Sequence, residues 1–220
     1  MSKLKTPICS RLGIEWPIFG FAHSVDVVSA VSAQGGLGVF GGTRNTPEEI
    51  TDAMTEARQG AGDAPIGLDL VLPKGMPQTA NRQAIEAEIP QAHREFVDGL
   101  WAKYQVPPPS KPGMRSRFVR SEEIAAAQVE AALSTDVNVF ACGIGAPEEV
   151  VARAKALGKT TLALVGSRRH AQAALAVGVD VLVAQGTDAG AHTGPIGTFS
   201  LVPQVVDVAG DVPVLAAGGV

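Results

Sequence analysis

Short apolar runs alternate along this chain with stretches in which apolar residues return every three or four positions. The runs have strand length and the intervening stretches have helical period, the signature of βα units around a parallel sheet. Strands are expected near Pro17–Gly20, Leu37–Phe40, Ile66–Val71, Val137–Ala141, Thr161–Val165, Val181–Gln185 and Val212–Ala216. Helices are expected near Ser24–Ala33, Pro47–Ala57, Pro147–Ala156, Ser167–Ala176 and Val202–Val208. A near-continuous apolar run such as VDVLVAQ suits a strand covered on both faces. Two segments, GVFGGTRNTPEEI and NVFACGIGAPEEV, share one plan: buried strand, glycine-containing loop, and a helix opening on Pro-Glu-Glu. Proline suits a first helical turn, whose N–H groups have no partner, and the glutamates suit its positive end.

Pro73–Arg120 breaks the pattern. It holds a charged helical stretch, NRQAIEAEIPQAHREFVDGLWAKY, and then VPPPSKPG, which cannot be regular structure. The span reads as a helix-loop insertion of about 73–120, either a lid on the barrel mouth or a packing insert.

At 220 residues and 45% hydrophobic content the chain can bury a full core, so residues 1–220 are taken as one domain. A net charge of -4 without like-charge blocks argues against nucleic acid as a partner. Cys9 and Cys142, with no CxxC, offer neither a disulfide framework nor a cysteine-based metal site. No signal peptide is recognised, and no apolar run approaches the roughly 20 residues needed to span a bilayer. A cytoplasmic protein without a membrane partner is expected.

Three segments carry the candidate chemistry. Ala184–Gly197 (AQGTDAGAHTGPIG) follows the sixth strand, and its four glycines let backbone approach a ligand closely. Such a loop opens on the C-terminal face of a barrel, where active sites sit. His192 is its one side chain that titrates near neutral pH, which suits proton transfer. Pro213–Val220 (PVLAAGGV) runs a strand into Gly218 and Gly219, whose consecutive N–H groups suit a phosphate. Gly20, Phe21 and Ala22 end the first strand, where a flat ring can lie on main chain. Asp69 ends the third, where it either accepts from a ring N–H or is solvated at the strand end. His23 either borders the site or caps the next helix. His93 and His170 fall on charged helical stretches and are expected to be exposed.

The order PIFGFAH, SAQGGLGVFGG, PIGLDL, AQGTDAGAHTG and PVLAAGGV resembles the nitronate monooxygenase family along most of the chain. It is similar also to the flavin-dependent type II enoyl-acyl-carrier-protein reductases. Family members usually read AQG-x-EAGGH-x-G, so Asp188 stands for Glu and Ala191 for Gly, with the histidine in register. The resemblance implies a (β/α)8 TIM barrel binding FMN at its C-terminal mouth, here truncated after strand seven. It implies His192 as catalytic residue, and Gly218 and Gly219 as phosphate-binding glycines. Gln185 and Gly186 become flavin contacts, and His23, Ala191 and Thr193 substrate contacts. The implied reaction is oxidation of alkyl nitronates or nitroalkanes by O2 to a carbonyl compound and nitrite. A nicotinamide-dependent enoyl-thioester reductase and a non-catalytic barrel fragment are the alternatives. Unpaired edges on strands one and seven make a homo-oligomer possible.

Overall fold

The computed structural model describes residues 4–79, 81–110 and 119–220, so the last part of VPPPSKPG lies outside the described residues. The chain divides into two compact units, Met1–Lys74 with Ala127–Val220, and Gly75–Ala126. The second unit contains α4 (Arg82–Ala87) and α5 (Gln91–Lys103). α6 (Glu122–Ser134) carries residues of both.

The first unit is built on seven parallel strands. They are β1 (Phe19–Ala22), β2 (Leu37–Gly41), β3 (Ile66–Leu70), β4 (Val139–Cys142), β5 (Thr160–Val165), β6 (Val181–Gln185) and β7 (Val214–Ala217). Their order in the sheet is their order in sequence, with β1 and β7 at the edges. The helices of this unit are α1 (Pro7–Leu12), α2 (Val25–Ala33), α3 (Pro47–Ala61), α7 (Glu148–Ala156), α8 (Arg168–Ala176) and α9 (Thr198–Ala209).

Alternation along the strands produces two cores. Leu37 and Val39 of β2 share one cluster with Val139 of β4, Leu162 of β5 and Val181 of β6, and Ile8 and Cys9 of α1 join it. Non-adjacent strands can pool inward residues this way only if the sheet curls towards closure, as in a barrel of βα units. Ala163, Val165, Leu182 and Ala184 face the other way and pack with Ala171, Ala174, Leu201 and Val205 of α8 and α9. Burial on both faces explains why β2 through β4 are apolar or glycine throughout apart from Asp69.

Most elements lie where the pattern puts them, and the differences have local causes. α3 is fixed by a capping box: the Thr46 hydroxyl accepts from the Glu49 N–H at 3.2 Å, and the Glu49 carboxylate accepts from the Thr46 N–H at 3.0 Å. The parallel segment at α7 differs, because Pro147 is the extended N-cap rather than the first helical residue. β1 starts two residues later than Pro17, since its register with β2 pairs Phe19 with Leu37. α9 begins at Thr198 and runs through Pro203, so the proline sits inside the helix rather than near its start.

Candidate functional site

Parallel strands bring their C-terminal ends to one rim, and the candidate residues sit along it. The inward position on β3 is Asp69, in register with Gly41 of β2 and Ala141 of β4. Its carboxyl group is buried, and Oδ1 has no hydrogen-bond partner among the described residues. A Cβ on Gly143 would lie 3.0 Å from Oδ2, so glycine at 143 keeps the space beside this group open. A buried polar atom without a partner is costly unless something else satisfies it, which makes Asp69 a candidate for a ligand contact. Burial also pushes its pKa up to about 7.

Cys142, the residue after Ala141, is buried as well. Burial and, secondarily, the charge of Asp69 push its thiol up to about 12. It is therefore a neutral thiol and an unsuitable nucleophile.

At the end of β1, Phe21 is 58% exposed although it is a large apolar side chain. Its ring meets His23 edge to face, with centroids 5.2 Å apart and planes at 80°. The His23 Nδ1–H donates to the Gly41 carbonyl at 2.9 Å, which leaves Nε2 outside this bond. A Cβ on Gly41 would collide with both rings. His23 is thus held at the rim by β2 and is not a cap on α2. Gly20 behaves differently: a Cβ there would meet Val31 of α2 at 2.9 Å. Glycine at position 20 therefore allows the close packing of α2 on β1.

The loop after β6 folds over the end of β7. Gly186 lies against Thr198 at the start of α9, where no side chain fits. Asp188 caps α9 by accepting from the Thr198 N–H at 2.6 Å, and that bond lowers its pKa. The Thr198 hydroxyl donates to the Gly218 carbonyl at 2.6 Å. Gly218 and Gly219 have φ of 96° and 66°, and a Cβ on Gly218 would stand 2.7 Å from the Ala189 N. Only glycine takes two such positions in succession without strain. The Gly219 and Val220 N–H groups donate to nothing among the described residues, so they are available to an anion. Ala191, where the family usually has glycine, holds φ of 58°. That conformation is strained for a residue with a Cβ.

His192 follows it, exposed and without a hydrogen-bond partner among the described residues. It lines a cleft of ≈530 Å³ over the ends of β4, β5 and β6, together with Gln185 and Thr193. Two further residues of this cleft were not expected from the sequence: Lys74, and His170 in the first turn of α8. The exposure expected of His170 is observed, but a sequence offers no sign that it shares a cleft with His192. The rim therefore divides. Phe21, Asp69, Gly186, Gly218 and Gly219 do not line the cleft, while Gln185 and His192 do.

The family model for nitronate monooxygenase matches residues 5–220. The chain belongs to the nitronate monooxygenase family. Among its relatives, the Mycobacterium tuberculosis protein Rv1533, named as a monooxygenase, is 37% identical over 227 residues, covering 99% of this chain and 60% of that protein. A Staphylococcus aureus protein named as a nitronate monooxygenase is 28% identical over 235 residues, covering 98% of this chain and 61% of its own. Of solved structures, the nitroalkane oxidase of Streptomyces ansochromogenes is similar with a TM-score of 0.73 at 26% identity, covering 97% of this chain and 61% of that one. FabK of Thermotoga maritima follows at 0.71 and 25%, covering 99% of this chain and 55% of that one. The chain thus spans roughly half to three fifths of the relatives it matches. The barrel-type fold inferred from the curled sheet is shared with both structures. Among the described residues, no helix is long and apolar enough to cross a membrane.

Proposed function

We propose that this protein is an FMN-dependent enzyme that oxidises alkyl nitronates, and nitroalkanes through their nitronates, with O2 to a carbonyl compound and nitrite. The observation that carries the proposal is the arrangement of the rim, where a buried carboxyl oxygen lacking a donor at the end of β3 and a histidine without a partner among the described residues after β6 stand on the same C-terminal side of the sheet. Family membership and the likeness to a nitroalkane oxidase supply the reaction class.

The residues present fit a flavin mononucleotide. Asp69 would accept from its imide N–H, satisfying the orphan Oδ1. Phe21, Ala22, Gln185 and Gly186 end the strands around the ring's place, and the Gly218–Gly219 loop would take the single phosphate through the Gly219 and Val220 N–H groups. Asp188 sits beside Gly219, and its charge is committed to the N-terminus of α9. Bound FMN would accept electrons from substrate and pass them to O2.

The chain's own contribution is positioning and proton transfer. His192 lies where the cofactor half of the rim meets the cleft, and would take the α-proton of a neutral nitroalkane. Thr193 and the backbone at Ala191 would orient the substrate beside it, and His23, held by Gly41, would offer Nε2. The His192→Asn variant should lose about 10²–10⁴-fold in turnover of a neutral nitroalkane, the usual range for a positioned base. Turnover of the preformed nitronate, which needs no deprotonation, should fall far less. Equal losses on the two substrates would show that His192 binds rather than moves a proton. Turnover of an enoyl thioester with a nicotinamide donor, and none of nitronates, would replace the proposed reaction with a reductase.

A further inference from the structure

The cleft over β4–β6 is longer than the nitro group requires, and its lining changes character along its length. α8 contributes His170, Ala173, Ala174 and Val177, the i, i+3, i+4, i+7 spacing that places four side chains on one stripe. The helix runs back from the rim, so His170 stands at the rim and Val177 lies about 10 Å from it at 1.5 Å per residue. Ala163 and Val165 of β5 line the same depth. Room exists there because the α8 stripe carries methyl groups, and because α8 packs closely on α9 but not on α7.

At the rim the lining is basic. Among the described residues, Lys74, His170 and His192 are the ionisable side chains there apart from the Cys142 thiol, and no carboxylate lines the cleft. A cleft of ≈530 Å³ is within the roughly 300–1,000 Å³ that small-molecule sites occupy. It shares Gln185 and His192 with the proposed site and reaches Gly143 beside Asp69, while its depth along α8 holds none of the residues proposed for the flavin.

We infer that the preferred substrate is amphipathic: a planar anionic head held at Lys74, His170 and His192, and an unbranched apolar tail lying along α8. The identity of the head as a nitronate rests on the function proposed above; the tail rests on the cleft alone. Straight-chain compounds are therefore favoured over branched ones, and long over short.

Straight-chain alkanoates, from butanoate to decanoate, test this without turnover, because a carboxylate is also a planar, singly charged head. Calorimetric dissociation constants for the full chain should fall about fourfold per added methylene until the tail reaches Val177. Ala173→Trp, on an exposed position of the stripe, should flatten the series, and Ala173→Leu should shorten it. Ala176→Trp, outside the lining, should leave the series unchanged. Lys74→Gln should weaken every member by a similar, small factor of about two to five. A flat series in the unsubstituted protein, or a graded one that Ala173→Trp does not alter, overturns the inference even if nitronates are oxidised. A graded series without any nitronate oxidation upholds the cleft and removes the proposed reaction.

Discussion

The two ends of the same sheet spend their polar groups differently. At the N-terminal ends of the strands, polar side chains are tied to scaffold. Asp180 accepts from the Thr161 N–H at 2.9 Å and hydroxyl at 2.7 Å, and pairs with Arg11 and Lys155. The Lys159 ammonium donates to the carbonyls of Thr135 and Val137. Arg58 joins Asp136 and Asn138, whose amide oxygen accepts from the Ile66 N–H. At the C-terminal ends, Asp69 Oδ1 and His192 have no partner among the described residues, and Phe21 is open to solvent. Positions that cost stability gather at one end, which is how a rigid scaffold carries a binding site.

Substitutions at the two ends should therefore move stability in opposite directions. The largest effect is expected at Asp69. Its folded pKa of about 7 lies above the ordinary 3.8, so between those values the folded chain keeps a proton that the unfolded chain has lost. Stability consequently falls as pH rises through that window, by up to about 4 kcal/mol for the full shift. Asp69→Asn should abolish this slope and be the more stable form at pH 8, while matching the parent near pH 4. Urea midpoints across that range check it, and a flat profile for the parent would break the contrast between the ends.

At the closed end the sign reverses. Asp180→Ala strands the Thr161 donors and two cations, and should lower stability by about 2–3 kcal/mol without altering flavin binding. A smaller gain belongs to the loop after β6. Ala191→Gly relieves a φ of 58° and should raise stability by about 0.5–1 kcal/mol after glycine's own entropic cost. Smallest of all is His192→Ala, which should change stability by less than about 0.5 kcal/mol while removing the proton-transfer activity. A large thermal shift there would mean that the histidine is structural.

How much of this was legible in the sequence follows from what each element depends on. β6 has the bounds expected from its apolar run, because burial on both faces writes itself into composition. α1 was not anticipated: a six-residue helix has too few turns for a period, and it forms by plugging the inner core with Ile8 and Cys9. α6 carries an alanine-rich stripe without strong contrast between its faces, and was likewise unassigned. α9 was placed too late because proline usually opens a helix, whereas Pro203 sits in its second turn. At the rim, glycine-rich loops announced Gly186, His192 and Gly218, since close approach needs glycine locally. Lys74 and His170 reach the cleft through tertiary packing between distant segments.

The rim was assigned to a mononucleotide on two features, the orphan at Asp69 and the paired glycines at 218 and 219. Fluorescence titration of the protein with FMN, with riboflavin as the phosphate-free comparison, weighs both in one series. FMN should bind at least about tenfold tighter, the equivalent of about 1.4 kcal/mol from the phosphate contacts. Equal affinities would detach Gly218 and Gly219 from the cofactor, and no binding of either flavin would contradict the assignment of this rim.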